Sequence, residues 1–452
     1  MKRAILVTLT MVYSYAIQAQ TAALSQSVKQ EFIRSWDSYR KYAWGHNMLL
    51  PLSRSFSDGY EQPLPIGPVN AYSTIKIMGL QKQAREIERY VMDSCDFNRD
   101  VYVKTYEMNT RILGSLLSMY SCTHQPTVLA KARDLGDRLL KAFKTPTGIP
   151  YCRVNLKTGK TSGENVSTAE AAAYTLEMGI LSYYTKDPVY YQAAKKALMA
   201  IYGRRSKLDL VGETINCETG DWQSTTSVTG VYYESVFKTS LLFKDPEVKQ
   251  IWEKSISATH KYDMTENDTA LWYGRAEMYS GEILNPVVTQ EDASLPALLC
   301  LDDDAETAAR LLRTWNGVWN RYGLAPAVYD YRKQQASYAQ YELTPEIIAS
   351  AWYLYDYTKE PVYAEMGKQY YNAILQYCKT PLAFAAISDV RSKKQRDELP
   401  VYFFAETMKY LYLLFTPEAG FNTEDYIFSS GAHPFKLTEF KITEINRRLG
   451  IG

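Results

Sequence analysis

Cysteine, histidine and excess charge are all scarce in this 452-residue chain, and each shortage removes a class of function. The six cysteines (Cys95, Cys122, Cys152, Cys217, Cys300 and Cys378) are scattered, with no C-x-x-C pair. That argues against a disulfide scaffold and against a zinc site. If any pair at all, the expectation is Cys95 with Cys122, because both close predicted helices. The four histidines (His46, His124, His260 and His433) show no ligand spacing. Lys and Arg number 51 against 50 Asp and Glu, so the net charge is +1 and no nucleic-acid-steering surface is expected. No segment beyond the first twenty residues approaches the roughly 20 apolar residues that span a bilayer.

The first twenty residues read as an export signal. Lys2 and Arg3 precede an apolar stretch from residue 4 to 16, and Ala19 offers a small residue before Gln20. The expected organisation is a signal peptide over 1–19 and one domain over 20–452. The C-terminal Arg448-Leu449-Gly450-Ile451-Gly452 carries no retention tetrapeptide. The expected location is therefore the bacterial periplasm or the medium rather than the ER lumen.

A large core is affordable to a chain that is 46% apolar and 22% charged. Tyrosine is abundant, 38 residues, and most of them are expected as amphipathic rings between packed helices. A recurring turn gives the architecture. Thr185-Lys186-Asp187-Pro188, Phe243-Lys244-Asp245-Pro246 and Thr358-Lys359-Glu360-Pro361 each follow an aromatic-apolar helix pattern. Proline in the first turn of a new helix, preceded by an acid, is a stop-and-restart signal. At steps of roughly 56–62 residues the series extends to Pro126, to the Asp302-Asp303-Asp304 run and to Pro417, with an earlier break at Gly79. Asp302–Asp304 then read as a helix start rather than a calcium loop. Seven helix hairpins result, and such an array stacks openly or closes into a ring. Closure is favoured, because no long helix follows Pro417, only a strand-like 425–428. The N-terminal helix, about residues 25–42, is free to supply the missing partner.

Counting back from the turns places Glu107, Glu170 and Glu346 at the far ends of their helices, roughly 22–28 Å away. They share one rim, with Glu406 a turn or two deeper. Carboxylates converging on one mouth suit glycoside hydrolysis, where one acid protonates the leaving oxygen and another activates water. Helix-starting glutamates also arise from capping alone. The loops 145–151 and 212–222 lie on the same rim, with Tyr151 and Trp222 as candidates for stacking on sugar.

Particular segments then resemble the α-mannosidases of glycoside hydrolase family 47. They are Ala43-Trp44-Gly45-His46, Ile77-Met78-Gly79-Leu80, residues 106–114, residues 403–415 and Ala432-His433-Pro434. Residues 143–148 and 384–391 look closer to the ER degradation-enhancing branch of that family. The resemblance implies an all-α (α/α)7 barrel with a short C-terminal β-hairpin entering it. It also implies an inverting exo-hydrolase that removes α-1,2-linked mannose, with calcium holding two sugar hydroxyls. Carried over, Glu107 is the acid, Arg111 its support and Glu346 the base. Glu406, Glu170, Glu177 and Tyr402 bind the substrate, and Ser430 is the one candidate metal ligand.

The departures from the family pattern fall in the pocket. Its third catalytic acid, an Asp, is Gly230 here; its Arg before Pro-Glu is Thr344; its Glu three residues after the base is Ala349. An Asp-Ala-Leu-Asp stretch is Asn70-Ala71-Tyr72-Ser73, and Asp-Glu-Leu-Arg is Asn47-Met48-Leu49-Leu50. Where the family's metal threonine is followed by a glutamate, Ser430 is followed by Gly431. Calcium gains affinity from ligand charge, so weak or absent calcium is expected, and no organic cofactor. Two readings follow: a mannosidase-like hydrolase acting on a glycan, or a glycan-binding scaffold that has lost turnover. Neither involves nucleic acid.

Overall fold

The computed structural model describes residues 2–228 and 230–451, with side chains from Gln20 onward. The side chains of the expected signal peptide, 1–19, lie outside the described residues. No helix among those described is long and apolar enough to cross a membrane.

Each turn that punctuates the sequence bends the chain in the same way. The residues ending the inner helices, His124, Lys186, Lys244 and Lys359, have φ between 53° and 59°, the left-handed conformation that closes a helix. An outer helix starts directly afterwards: Pro126–Leu139, Val189–Tyr202, Pro246–Tyr262 and Pro361–Tyr377. Asp303 plays the same part before Ala305–Tyr322, and Gly79 before Gln81–Ser94. Asp304 caps its helix by accepting from the Thr307 N–H at 3.1 Å, so the acidic run is a helix start.

Outer helices bury one stripe, such as Val128, Ala132, Leu135 and Leu139 at helical spacing. Inner helices are apolar nearly all round, because they face the outer layer on one side and the barrel axis on the other. Val231–Phe243 and Glu346–Thr358 are examples. Side chains are small where two helices cross closely: a Cβ on Gly179 would run into the ring of Phe243. Buried tyrosines link successive units through their hydroxyls, as Tyr190 to Asp137 (2.6 Å) and Tyr191 to Asp245 (2.8 Å). That is the role expected for most of the 38.

Seven inner helices result, the first running through Ile66–Asn70 and Tyr72–Ile77 and the last ending in Met408–Leu414. The helix Lys2–Tyr42 provides the seventh outer member. Phe32 and Trp36 pack edge-on against Phe404 at 5.4 and 5.5 Å, and Ser25 Oγ lies 2.6 Å from Thr416 Oγ1. The ring is therefore closed as an (α/α)7 barrel. Short antiparallel strands decorate the rim opposite the left-handed turns, including Asn165–Ser167, Gly212–Asn216 and Trp222–Ser227 in one sheet.

The C-terminal hairpin, Tyr426–Phe428 with Pro434–Lys436, carries its tip into the barrel. There the Ser430 N–H donates to Glu177 Oε1 at 3.3 Å. A Cβ on Gly431 would stand 2.8 Å from the Thr110 carbonyl, so the tip is tightly enclosed. One expectation fails: Cys95 and Cys122 are both free thiols. Cys95 is buried among apolar groups, which push its thiol up to about 12, while Cys122 is exposed.

Candidate active site

Two inner helices open into wider π turns at the mouth, Met108–Leu113 and Phe403–Thr407. Such turns displace the register of a helix and recur at functional sites. Arg111 and Glu406 occupy these two turns and approach across the barrel to 3.9 Å. Arg111 Nε also lies 3.2 Å from Glu107 Oε1, and its guanidinium stands 5.3 Å from the Tyr402 ring centre. One arginine thus gathers three expected site residues: Glu107, Glu406 and Tyr402.

A cavity of about 590 Å³ opens beside this group and is lined by Arg111, Glu170, Glu346, Tyr402, Glu406 and Ser430 among others. Its size is in the usual range of ligand clefts. Residues far apart in sequence therefore meet in one space on one rim, as the spacing implied. Glu107 flanks the cavity behind Arg111, with its side chain 23% exposed. Below lies a chamber of about 90 Å³, bordered by Glu346, Glu406, Ala349 and the Glu234–Lys238 ion pair.

Burial governs the charges here. Glu346 is held well above the usual carboxylate range, first by desolvation and then by the negative charge of Glu291; its Oε2 is buried without a partner. Glu170 is raised by burial, against the pull of Lys104. Glu177, accepting from Asn109 Nδ2 at 3.1 Å, is pushed up to about 7 by burial. Glu406 and Lys409 are buried together, and desolvation raises the acid and lowers the base while each opposes the other's shift. Lys409 donates to Ser73 Oγ at 2.9 Å and to the Ala432 carbonyl. His433, 3.1 Å from Ser73, is driven well below its ordinary value by burial and stays neutral.

Three features escaped the sequence reading. Tyr60, in the loop before the first inner helix, donates its hydroxyl to Glu107 Oε2. Glu291 lines both the cavity and the chamber. Lys238 puts a buried cation into the chamber wall. The loop aromatics, by contrast, are already engaged: Tyr151 donates to Glu218, and Trp222 Nε1 donates to the Arg204 carbonyl at 3.0 Å. Neither residue is among those lining the cavity.

The oxygen donors fit calcium poorly. Ser430 Oγ is buried without a partner and so is free to bind an ion. Its neighbour Gly431 and the chamber residue Ala349 supply no carboxylate. No group of three Asp, Glu, His or Cys among the described residues is arranged to hold a metal.

An all-helical ring with paired acids at one mouth is the build of a glycoside-processing barrel. The chain belongs to glycosyl hydrolase family 47, whose profile matches residues 31–437, and it is a glycosidase of that family. It is 32% identical to alpha-mannosidase I MNS5 of Arabidopsis thaliana, over 94% of this chain and 79% of that protein. It is 31% identical to human ER degradation-enhancing alpha-mannosidase-like protein 2, over 90% and 77%. In fold it is similar to the alpha-1,2-mannosidase from Trichoderma reesei, with a TM-score of 0.82 at 23% identity, covering 92% of this chain and 99% of that one.

Proposed function

We propose that the protein is exported and hydrolyses terminal α-linked mannose, α-1,2-linked in the first instance, on a glycan or oligosaccharide. The observation that carries this reading is the Glu107–Arg111–Glu406 array facing Glu346 across one cavity. Glu107, which flanks the cavity rather than lining it, gives its proton to the leaving glycosidic oxygen through one bridging water. Arg111 fixes the carboxyl and Tyr60 holds its second oxygen. The opposite wall activates the water, so attack comes from the far side and the sugar leaves with inverted configuration. Released mannose followed by NMR should therefore appear first as the β-anomer. Retention of mannose-terminated glycans on the immobilised protein with no mannose released would overturn the hydrolase reading.

That second outcome is the binding-protein reading, and Gly230 is what favours it: the position holds no carboxylate.

Calcium should bind weakly or not at all. Removing one carboxylate that orients a metal's ligands costs roughly 10–100-fold in affinity. Gly431 and Ala349 together therefore weaken the site by roughly 10²–10⁴ if the effects add. Saturating a tight native-state site at 100 times Kd stabilises by about 2.7 kcal/mol. Chelation should then leave the melting temperature unchanged. Stoichiometric calcium surviving dialysis against chelator would contradict this.

A further inference from the structure

The inner helix Val231–Phe243 starts at Gly230, whose φ of 66° and ψ of −129° suit glycine and strain any L side chain. Among the described residues, and leaving aside its chain neighbours, a Cβ built on Gly230 meets a single heavy atom within 4 Å, the Cβ of Glu291 at 3.9 Å. Glu291 comes from the next unit of the ring, on the short 3₁₀ turn Gln290–Ser294.

Its neighbours hold that turn rigidly. Thr289 and Asp292 cap each other reciprocally, and Asp292 pairs with buried Arg275 at 2.7 Å. Gln290 donates to the Ala325 carbonyl at 2.7 Å and accepts from Thr344 Oγ1 at 2.9 Å. Ser294 Oγ donates to the Glu291 carbonyl at 2.7 Å. The carboxylate of Glu291 itself has no hydrogen bond or ion pair among the described residues. It is exposed to the space where the cavity meets the chamber. A fixed backbone with a free, cavity-facing carboxylate is how a site presents a group for chemistry.

We propose that Glu291 is the catalytic base, taking from the neighbouring unit the place that Gly230 leaves empty. Of the other carboxylates lining the cavity, Glu170 is raised by burial, which suits a proton donor rather than a base, and the rest are engaged or buried. Glu406 is engaged with Arg111, and Glu177 accepts from Asn109 and Ser430 at the floor. Glu346 is buried, and the charge of Glu291 adds to burial in keeping it protonated, so it serves as a donor that orients the water. In the step itself Glu291 takes one proton from water, and the water oxygen bonds to the anomeric carbon. The C1–O bond breaks with its electron pair on the leaving oxygen, which takes the proton of Glu107 through the bridging water. One water is consumed, and exchange with solvent returns both carboxyl groups to their starting states.

This rests on the hydrolase reading above, and one experiment separates the two. Wild type, Glu291→Gln and Glu291→Ala are assayed on the same α-mannoside, with melting temperatures measured alongside. Glu291→Gln should lose at least 100-fold in kcat with KM within about threefold and an unchanged melting temperature, consistent with loss of a general base. Glu291→Ala should regain rate with sodium azide and yield a β-mannosyl azide, a product that a merely structural role would not generate. An active wild type with Glu291→Gln within threefold of it overturns the base assignment alone. A wild type that releases no mannose overturns the hydrolase reading and this assignment together.

Discussion

Glutamine at position 107 should lower kcat/KM by at least two orders of magnitude and leave the unfolding midpoint where it was. A general acid contributes about 10²–10⁴-fold through a proton that an amide cannot give. Little else changes. Gln matches Glu in size, and its carbonyl oxygen still accepts from Tyr60 or Arg111, the two groups that hold the carboxylate. The pair with Arg111 spans one helical turn and both side chains are only partly buried, so losing its charge costs little stability. Substrate affinity should hold as well, because Glu107 flanks the cavity rather than lining it. Two measurements check this: initial rates on an α-mannoside, and denaturant unfolding of the same preparation. Turnover within fivefold of wild type would remove Glu107 as the donor and direct attention to Glu170. That residue does line the cavity and is raised by burial.

The architecture was legible because its punctuation is local chemistry. Lys186, Lys244 and Lys359 adopt the left-handed closing conformation directly before an acid and a proline, and a period of seven units follows from these short motifs. Ring closure was legible from a surplus and a deficit: a long first helix and no partner after Pro417. The shared rim of Glu107, Glu170 and Glu346 followed from helix rise alone. Lateral relations across the ring were harder. Arg111 meets Glu406 because two helices widen into π turns, and neither stretch departs from an ordinary helical pattern in sequence. Glu291 was invisible for a related reason. It sits on a short 3₁₀ turn with no periodicity, and its significance comes from Gly230, a gap some sixty residues earlier in the chain. The loop aromatics Tyr151 and Trp222 spend their polar tips on neighbouring loops, a pairing that residue type alone does not reveal.

Closing a ring of helices leaves one seam, and the energetic test of that seam is Trp36. The N-terminal helix presents Phe32, Trp36 and Tyr39 to the last inner helix. Trp36 is 1% exposed, stacks on Tyr39 at 5.3 Å and meets Phe404 edge-on at 5.5 Å. Truncating a large buried aromatic to alanine costs about 3–5 kcal/mol through lost transfer energy and the cavity left behind. Trp36→Ala should therefore lower the unfolding free energy by about that amount, enough to shift the folded-to-unfolded ratio by about two to four orders of magnitude. The indole N–H, however, is buried without a partner. Trp36→Phe removes that unsatisfied donor, whose burial costs about 1–3 kcal/mol, while keeping most of the ring. The phenylalanine variant should lose less than about 2 kcal/mol, the gain from the missing donor offsetting part of the smaller ring's poorer packing. Paired denaturant titrations of the two variants give the answer. Equal losses in both would mean that the indole N–H contributes favourably after all. A negligible loss in Trp36→Ala would mean that the N-terminal helix does not close the barrel.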